Sequence, residues 1–158
     1  MSTARREAGR LAADGHRLHE QVSLRLAALD QRYTSSRRAL VEALVAAGRP
    51  VTISEMLAEL ASVPQSSAYR NVTVLCDAGV VRRMAGVDDM ARFELTEDLS
   101  GHHHHHLVCR SCGTVADIKA FNRLEQVLAE AARLAAAETG FEVTDHRIDL
   151  GGFCPQCR

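Results

Sequence analysis

Residues 52–79 read TISEMLAELASVPQSSAYRNVTVLCDAG, and this stretch decides the fold. Thr52 and Glu55 stand at capping-box spacing, a hydroxyl three residues ahead of a carboxylate that can reach back to its amide. Ile53, Met56, Leu57 and Leu60 then make one apolar stripe at helical spacing. The break at Ser62-Val63-Pro64 is short, and a following helix from about Gln65 carries Ala68, Val72, Leu75 and Cys76 inward before Gly79 ends it. Two short helices joined by a tight turn predict a helix-turn-helix. Its second helix would enter the major groove by its N-terminal half, where Gln65, Ser66 and Ser67 can meet bases or phosphates.

On the N-terminal side, Leu11, Leu18, Val22, Leu26 and Leu29 predict an amphipathic helix weakened by Gly9 and Gly15. A further helix should start at Thr34 or Ser35, run through Leu40, Val41, Leu44 and Val45, and stop at Gly48 before Pro50. On the C-terminal side, Val80-Val81 and Phe93-Glu94-Leu95 read as strands flanking the turn-rich Gly86-Val87-Asp88-Asp89, a β-hairpin wing. Helix, helix, wing is the order of a winged helix, so residues 1–95 are expected to be a winged-helix DNA-binding domain with an N-terminal helical extension. Residues 96–101 are polar and suit a hinge.

Residues 102–158 predict a small α/β domain, which makes the fold class α+β. Strands are expected over His103 to Cys109, Thr114 to Ile118 and Phe141 to Leu150. Between the last two, a helix from about Phe121 to Glu138 turns Leu124, Val127, Leu128, Ala131 and Leu134 inward. So short a unit buries too little apolar surface to be stable alone; it needs metal, a partner subunit, or both.

The 158 residues are 46% hydrophobic and 25% charged, the balance of an ordinary globular protein. No apolar run approaches the ~20 residues that cross a bilayer, and the Arg-rich start lacks a secretory apolar core. A cytoplasmic protein with no membrane partner is expected. The net charge of −1 hides an asymmetry: residues 1–92 hold 13 Arg against 10 acidic residues, and residues 93–158 hold 6 basic against 10 acidic. A mildly basic front half is compatible with nucleic acid without establishing it.

Cys109-Arg-Ser-Cys112 and Cys154-Pro-Gln-Cys157 each place two thiolates on a tight knuckle, and two knuckles complete the tetrahedron that zinc prefers. Four sulfur ligands leave no position for water, so this zinc is expected to be structural. Buried inert thiols and a redox dithiol are the competing readings. The run His102-His103-His104-His105-His106 ends three residues before a zinc ligand. On a strand, His104 and His106 face one way and His103 and His105 the other, so one strand can serve two ions. Nitrogen and carboxylate donors suit Fe(II), Mn(II), Co(II), Ni(II) or Zn(II). Cys76, alone on an apolar face, reads as core packing, and His16 and His19 as a solvated helix face that is able to chelate.

These residues together resemble the ferric uptake regulator family over roughly residues 33 to 157. The likeness is carried by Ser67-Ala68-Tyr69-Arg70, Asp77-Ala78-Gly79, Phe93-Glu94-Leu95, the His-rich run with Leu107-Val108 and Cys-x-x-Cys-Gly up to Gly113, and the closing Cys-x-x-Cys. The resemblance implies a winged helix, an α+β dimerisation domain, and metal-activated binding of a homodimer to palindromic operator DNA. By position it implies a structural zinc on Cys109, Cys112, Cys154 and Cys157, and a regulatory metal on Glu94, His104, His106 and Asp117. It also implies an additional metal on His103, His105, Glu125 and His146, and DNA contacts by Tyr69 and Arg70 beside Gln65, Ser66 and Ser67. Where the family commonly supplies a histidine just before the third helix, this sequence has Pro50, so either another donor closes the site, with His16 or His19 as candidates, or the ion is held with fewer ligands.

The expected function is therefore a metal-dependent repressor with a structural Zn(2+) and a regulatory Fe(2+), Zn(2+) or Mn(2+), controlling metal homeostasis. A peroxide-sensing repressor of the same family is the alternative. A metal-storage protein or metallochaperone explains the histidines but not the wing. A zinc enzyme lacks support, because no His-Glu-x-x-His, phosphate loop or nucleophile elbow is present, and no small-molecule substrate is expected.

Overall fold

The computed structural model describes residues 3–60, 63–85, 90–101 and 103–158, with residues 3–14 and Ala85 by backbone alone. The described chain divides into two compact units, one reaching to Gly101 and the other lying beyond it.

The first unit opens with helix α1 (Thr3–Ala27), which runs unbroken through both glycines. Val22 and Leu26 are fully buried from it, whereas Leu29 lies past its end and is exposed; Leu11 belongs to the part described by backbone alone. Helix α2 (Ser35–Ala47) is capped by Thr34, whose side chain accepts from the Arg37 amide, and closes on Gly48 in the left-handed region. Helix α3 (Ile53–Ala58) starts with both halves of the Thr52–Glu55 capping box. Helix α4 (Gln65–Asp77) follows Pro64 and buries Ala68, Val72 and Leu75.

Strands β1 (Val81–Ala85) and β2 (Ala91–Leu95) pair antiparallel with Arg82 opposite Glu94, and Val51 adds a single bridge to Phe93. The turn expected at Gly86-Val87-Asp88-Asp89 lies outside the described residues, as do Ser62 and His102. One core joins every element of this unit: Val22 and Leu26 from α1, Leu40, Val41 and Leu44 from α2, Met56 from α3, Leu75 from α4, and Phe93 and Leu95 from β2.

The polar stretch after β2 is one helical turn, α5 (Glu97–Ser100), closed by Gly101 at φ 73°. It sits on the first unit. Arg25 of α1 bonds the Asp98 carboxylate and the Gly79 carbonyl, Arg82 lies 3.5 Å from Glu97, and Leu99 packs against the core.

The second unit is a three-stranded sheet in the order β4-β3-β5. Strand β3 (His104–Cys109) pairs antiparallel with β4 (Val115–Lys119) and parallel with β5 (Asp149–Gly152), and helix α6 (Asn122–Thr139) lies in the connection between β4 and β5. Two sequence expectations change here. The last strand is four residues instead of the stretch from Phe141 to Leu150, because β3 offers its edge only from His106 to Cys109. Helix α6 buries none of its residues: Val127 is 61% and Leu134 54% exposed, so the stripe that spacing assigned to an internal core faces outward within the single chain.

Among the described residues no helix is long and apolar enough to cross a membrane.

Candidate metal centres and nucleic-acid interface

Both cysteine knuckles are turns closed by their own backbone. Gly113 N–H donates to the Cys109 carbonyl and Cys157 N–H to the Cys154 carbonyl, each at 2.9 Å. Gly113 sits at φ 69°, a conformation in which a side chain would be strained, which is why glycine follows the first knuckle. Strand β3 delivers Cys109, and the residues after β5 deliver Cys154 and Cys157, so that all four sulfurs lie within 4.8 Å of one another. Cys112 Sγ is 3.7 Å from Cys154 Sγ, and the Cys154 amide donates to Cys109 Sγ at 3.3 Å.

The amides of Cys112 and Cys154 turned toward Cys109 lower its thiol to about 6. The Ser111 hydroxyl also lowers Cys157, but the neighbouring sulfurs outweigh it and push that thiol up to about 12. Four soft sulfur donors converging on one point are the set that fills a tetrahedral structural zinc site. Cys76, by contrast, is half-buried on α4 against the apolar core, and burial pushes its thiol up.

The histidine run alternates across β3 as strand geometry requires. On one face His103, His105, Glu125 and His146 bring one donor atom each within 4.8 Å of one another. Glu125 lies in the first turn of α6, with Oε1 2.8 Å from His105 Nε2 and Oε2 3.2 Å from His103 Nε2 and 3.0 Å from His146 Nε2. Burial alone would raise the Glu125 carboxyl, but the bond from His105 and the charges of His103 and His146 hold it below the usual range. Three imidazoles and one carboxylate form a donor set suited to a divalent transition metal.

On the opposite face His104 and His106 stack edge to face with centroids 5.1 Å apart. Asp117, the register partner of His106 on β4, places a carboxylate oxygen 3.9 Å from Nε2 of each. Asp149, which spacing did not single out, lies 3.1 Å from His106 Nδ1. The signal that finds it is the parallel register pairing His106 with Asp149, which brings together residues 43 apart in sequence.

Glu94 belongs to the first unit. It is 5% exposed and accepts from Arg82 Nε at 2.9 Å across the β1–β2 ladder, so its buried charge is compensated by a cation. Pro50 is fully buried in the same unit and carries no donor. His19, one of its suggested replacements, bonds Tyr33 Oη at 2.7 Å and lies 3.5 Å from Glu42; its burial and Arg38 lower its pKa. His16 is exposed.

Helix α4 turns the face opposite its buried Ala68, Val72 and Leu75 to solvent. Gln65, Ser66, Tyr69 and Arg70 are exposed and Ser67 is half-buried; Thr73, which spacing did not single out, extends the same face and caps back onto the Tyr69 carbonyl at 3.0 Å.

A helix-turn-helix with a β-hairpin, followed by a small sheet carrying a tetrathiolate cluster and histidine–carboxylate clusters, defines a metal-binding transcription regulator. The chain belongs to the ferric uptake regulator family, whose model matches residues 28–151. It is 31% identical over 148 residues to the peroxide-responsive repressor PerR of Staphylococcus aureus, covering 90% of this chain and 93% of that protein. Among solved structures, the ferric uptake regulator of Vibrio cholerae is similar at 27% identity and a TM-score of 0.64, over 82% of this chain and 96% of that one. The manganese-containing ferric uptake regulator of Pseudomonas aeruginosa gives 25% and 0.64, over 82% and 95%. The Helicobacter pylori regulator, at 17% identity and a TM-score of 0.72 over 90% and 93%, shares the fold.

Proposed function

We propose that this chain is a metal-dependent transcriptional repressor that binds palindromic operator DNA as a homodimer when a divalent ion occupies its regulatory site, and thereby adjusts the cell's metal supply. The observation that carries the reading is the arrangement on β3. One strand places His104 and His106 on one face and His105 on the other, with His103 just ahead of it, and ends in the thiolate ligand Cys109. Cys109, Cys112, Cys154 and Cys157 hold the structural zinc. Glu94, His104, His106 and Asp117 hold the regulatory ion, and His103, His105, Glu125 and His146 an additional one.

A regulatory ion shifts the repressor between states only through its differential affinity for them. Arg82 neutralises Glu94 within the first unit. Helix α4 reads the major groove through Gln65, Ser66, Ser67, Tyr69 and Arg70, and the two copies of a dimer present it to successive grooves. The likeness to the S. aureus peroxide-responsive repressor favours a second form of the same function, in which peroxide is the signal.

The test is operator binding by gel shift with Mn(II), with Fe(II), with Fe(II) plus peroxide, and with chelator. Metal is expected to tighten binding by about 1–3 kcal/mol. His104→Ala with His106→Ala should remove most of that gain while zinc content stays at the wild-type level. Arg70→Ala should weaken binding roughly tenfold or more with or without metal, since it touches DNA and no ligand. A double histidine variant that responds fully to metal overturns the reading. Loss of binding only in the peroxide arm assigns the signal to peroxide.

A further inference from the structure

His105 and His106 are neighbours on β3 and almost equally buried, at 1% and 2% exposure, yet the protein treats their rings differently. His105 presents Nε2 to Glu125, and its Nδ1 is buried without a hydrogen-bond partner. His106 is held between two carboxylates, one from each adjoining strand. Asp117 of β4 faces its Nε2 at 3.9 Å, and Asp149 of β5 faces its Nδ1 at 3.1 Å. Both acids are its register partners, so the sheet itself aims them at the ring.

Asp149 is in turn held in place. Its Oδ2 accepts from Arg147 Nη2 at 2.9 Å, which leaves Oδ1 for His106. A carboxylate oxygen can only accept. A neutral imidazole beside it therefore carries its proton on Nδ1 and keeps the Nε2 lone pair for a cation. Nε2 is the nitrogen turned toward Asp117, on the face shared with His104.

We infer that Asp149 is a positioning residue for the regulatory site: by accepting the Nδ1 proton of His106 it fixes the tautomer and ring orientation in which Nε2 binds the ion. The inference rests on the reading of His106 as a regulatory ligand. Among metal-binding histidines, loss of such an outer partner costs about tenfold to a hundredfold in metal affinity. His105, its neighbour on the opposite face, has no equivalent, since its Nδ1 is buried without a hydrogen-bond partner. His105 and His106 should therefore differ in how firmly their tautomers are fixed.

The experiment uses the full chain with its zinc retained and Mn(II) as the probe. It measures Mn(II) affinity, zinc content, melting temperature and the tautomer of His106 by nitrogen-15 imidazole NMR in wild type, Asp149→Ala, Asp149→Asn and His106→Ala. Asp149→Ala is expected to weaken Mn(II) binding about tenfold to a hundredfold. It should release His106 from its single Nδ1–H tautomer while leaving zinc content and melting temperature in place. Asp149→Asn keeps an acceptor oxygen without the charge, so it should retain the tautomer and fall between the two in affinity. Wild-type Mn(II) affinity in Asp149→Ala, with binding lost in His106→Ala, overturns the role of Asp149 alone. An affinity loss in Asp149→Ala that comes with zinc loss and an unchanged His106 tautomer overturns it as well. Wild-type affinity in His106→Ala overturns the regulatory-site reading itself.

Discussion

At the scale of single residues, the second unit is organised by what its donor atoms need. Three local causes place the four cysteines: β3 pairing for Cys109, the left-handed Gly113 behind Cys112, and the turn closed from Cys157 to Cys154 for the last pair. None of these contributes much apolar burial, since Cys109 and Val115 are the buried apolar residues of this unit among those described. Zinc is thus a main source of its stability, with apparent binding energies on the order of 10 kcal/mol for such sites. Cys112→Ser is expected to abolish zinc retention and lower the melting temperature of the second unit. Atomic absorption and calorimetry on the same sample check both, and an unchanged melting temperature with wild-type zinc content would refute the structural assignment.

Cys-x-x-Cys pairs and a histidine run are legible as strings because their donors are adjacent. Asp149 was not, because its partner lies 43 residues away and only strand pairing brings them together. Glu125 shows the intermediate case: a position implied by resemblance, which the first turn of α6 sets within 3.2 Å of His103 and 2.8 Å of His105.

Among the elements, α3 is the one whose start was most fully written in sequence. The Glu55 carboxylate accepts from the Thr52 amide at 2.7 Å and from Arg49 at 2.8 Å, while the Glu55 amide donates to Thr52 Oγ1 at 3.2 Å. Burial alone would raise the Glu55 carboxyl, but the Thr52 amide, Arg49 and the Thr52 hydroxyl together lower it below 4.5. A depressed carboxyl contributes stability above its unfolded pKa, and that contribution is lost as pH falls through the folded value. Thr52→Ala is therefore expected to cost about 1 kcal/mol at neutral pH. Its cost should shrink once acid protonates Glu55, as followed by urea unfolding at neutral pH and again below the folded pKa of Glu55. A cost that grows with acidification contradicts the box.

Helix α6 shows the opposite relation between sequence and structure. Its period predicted the helix correctly, but none of its apolar stripe is buried among the described residues. Periodicity reports that a face is apolar; it does not say whether the covering surface belongs to the same chain.

For the molecule as a whole, that open face sets the expected assembly. Val127 and Leu134, two turns apart on α6, are more than half exposed, and so is Phe153 after β5 at 62%. Several large apolar side chains exposed on so small a unit are the composition of an association site, and burying each such side chain contributes about 1.5–3 kcal/mol. Val127→Asp with Leu134→Asp should convert the dimer to a monomer at micromolar concentration in sedimentation velocity and abolish operator binding. Zinc content should survive, because neither side chain lies in the cysteine cluster. A variant that remains dimeric places the interface elsewhere. The two units differ accordingly: the first has its own core from α1 to β2, whereas Cys109 and Val115 are the buried apolar residues described in the second.

The sequence by itself determined the helix-turn-helix and its wing strands, the cysteine knuckles, and the alternation of the histidines. Each of these depends on residues within a few positions of one another: caps, apolar periods, and the two-residue repeat of a strand. Tertiary structure alone decided what depends on distant pairing. It packed the expected hinge as a helical turn under Arg25 and Arg82 and shortened the last strand to the length that β3 can pair. It also set Glu94 against Arg82 and brought Asp149 to His106. Which oxygen meets which nitrogen is settled by strand register and burial, and these are properties of the folded chain that no local stretch of it contains.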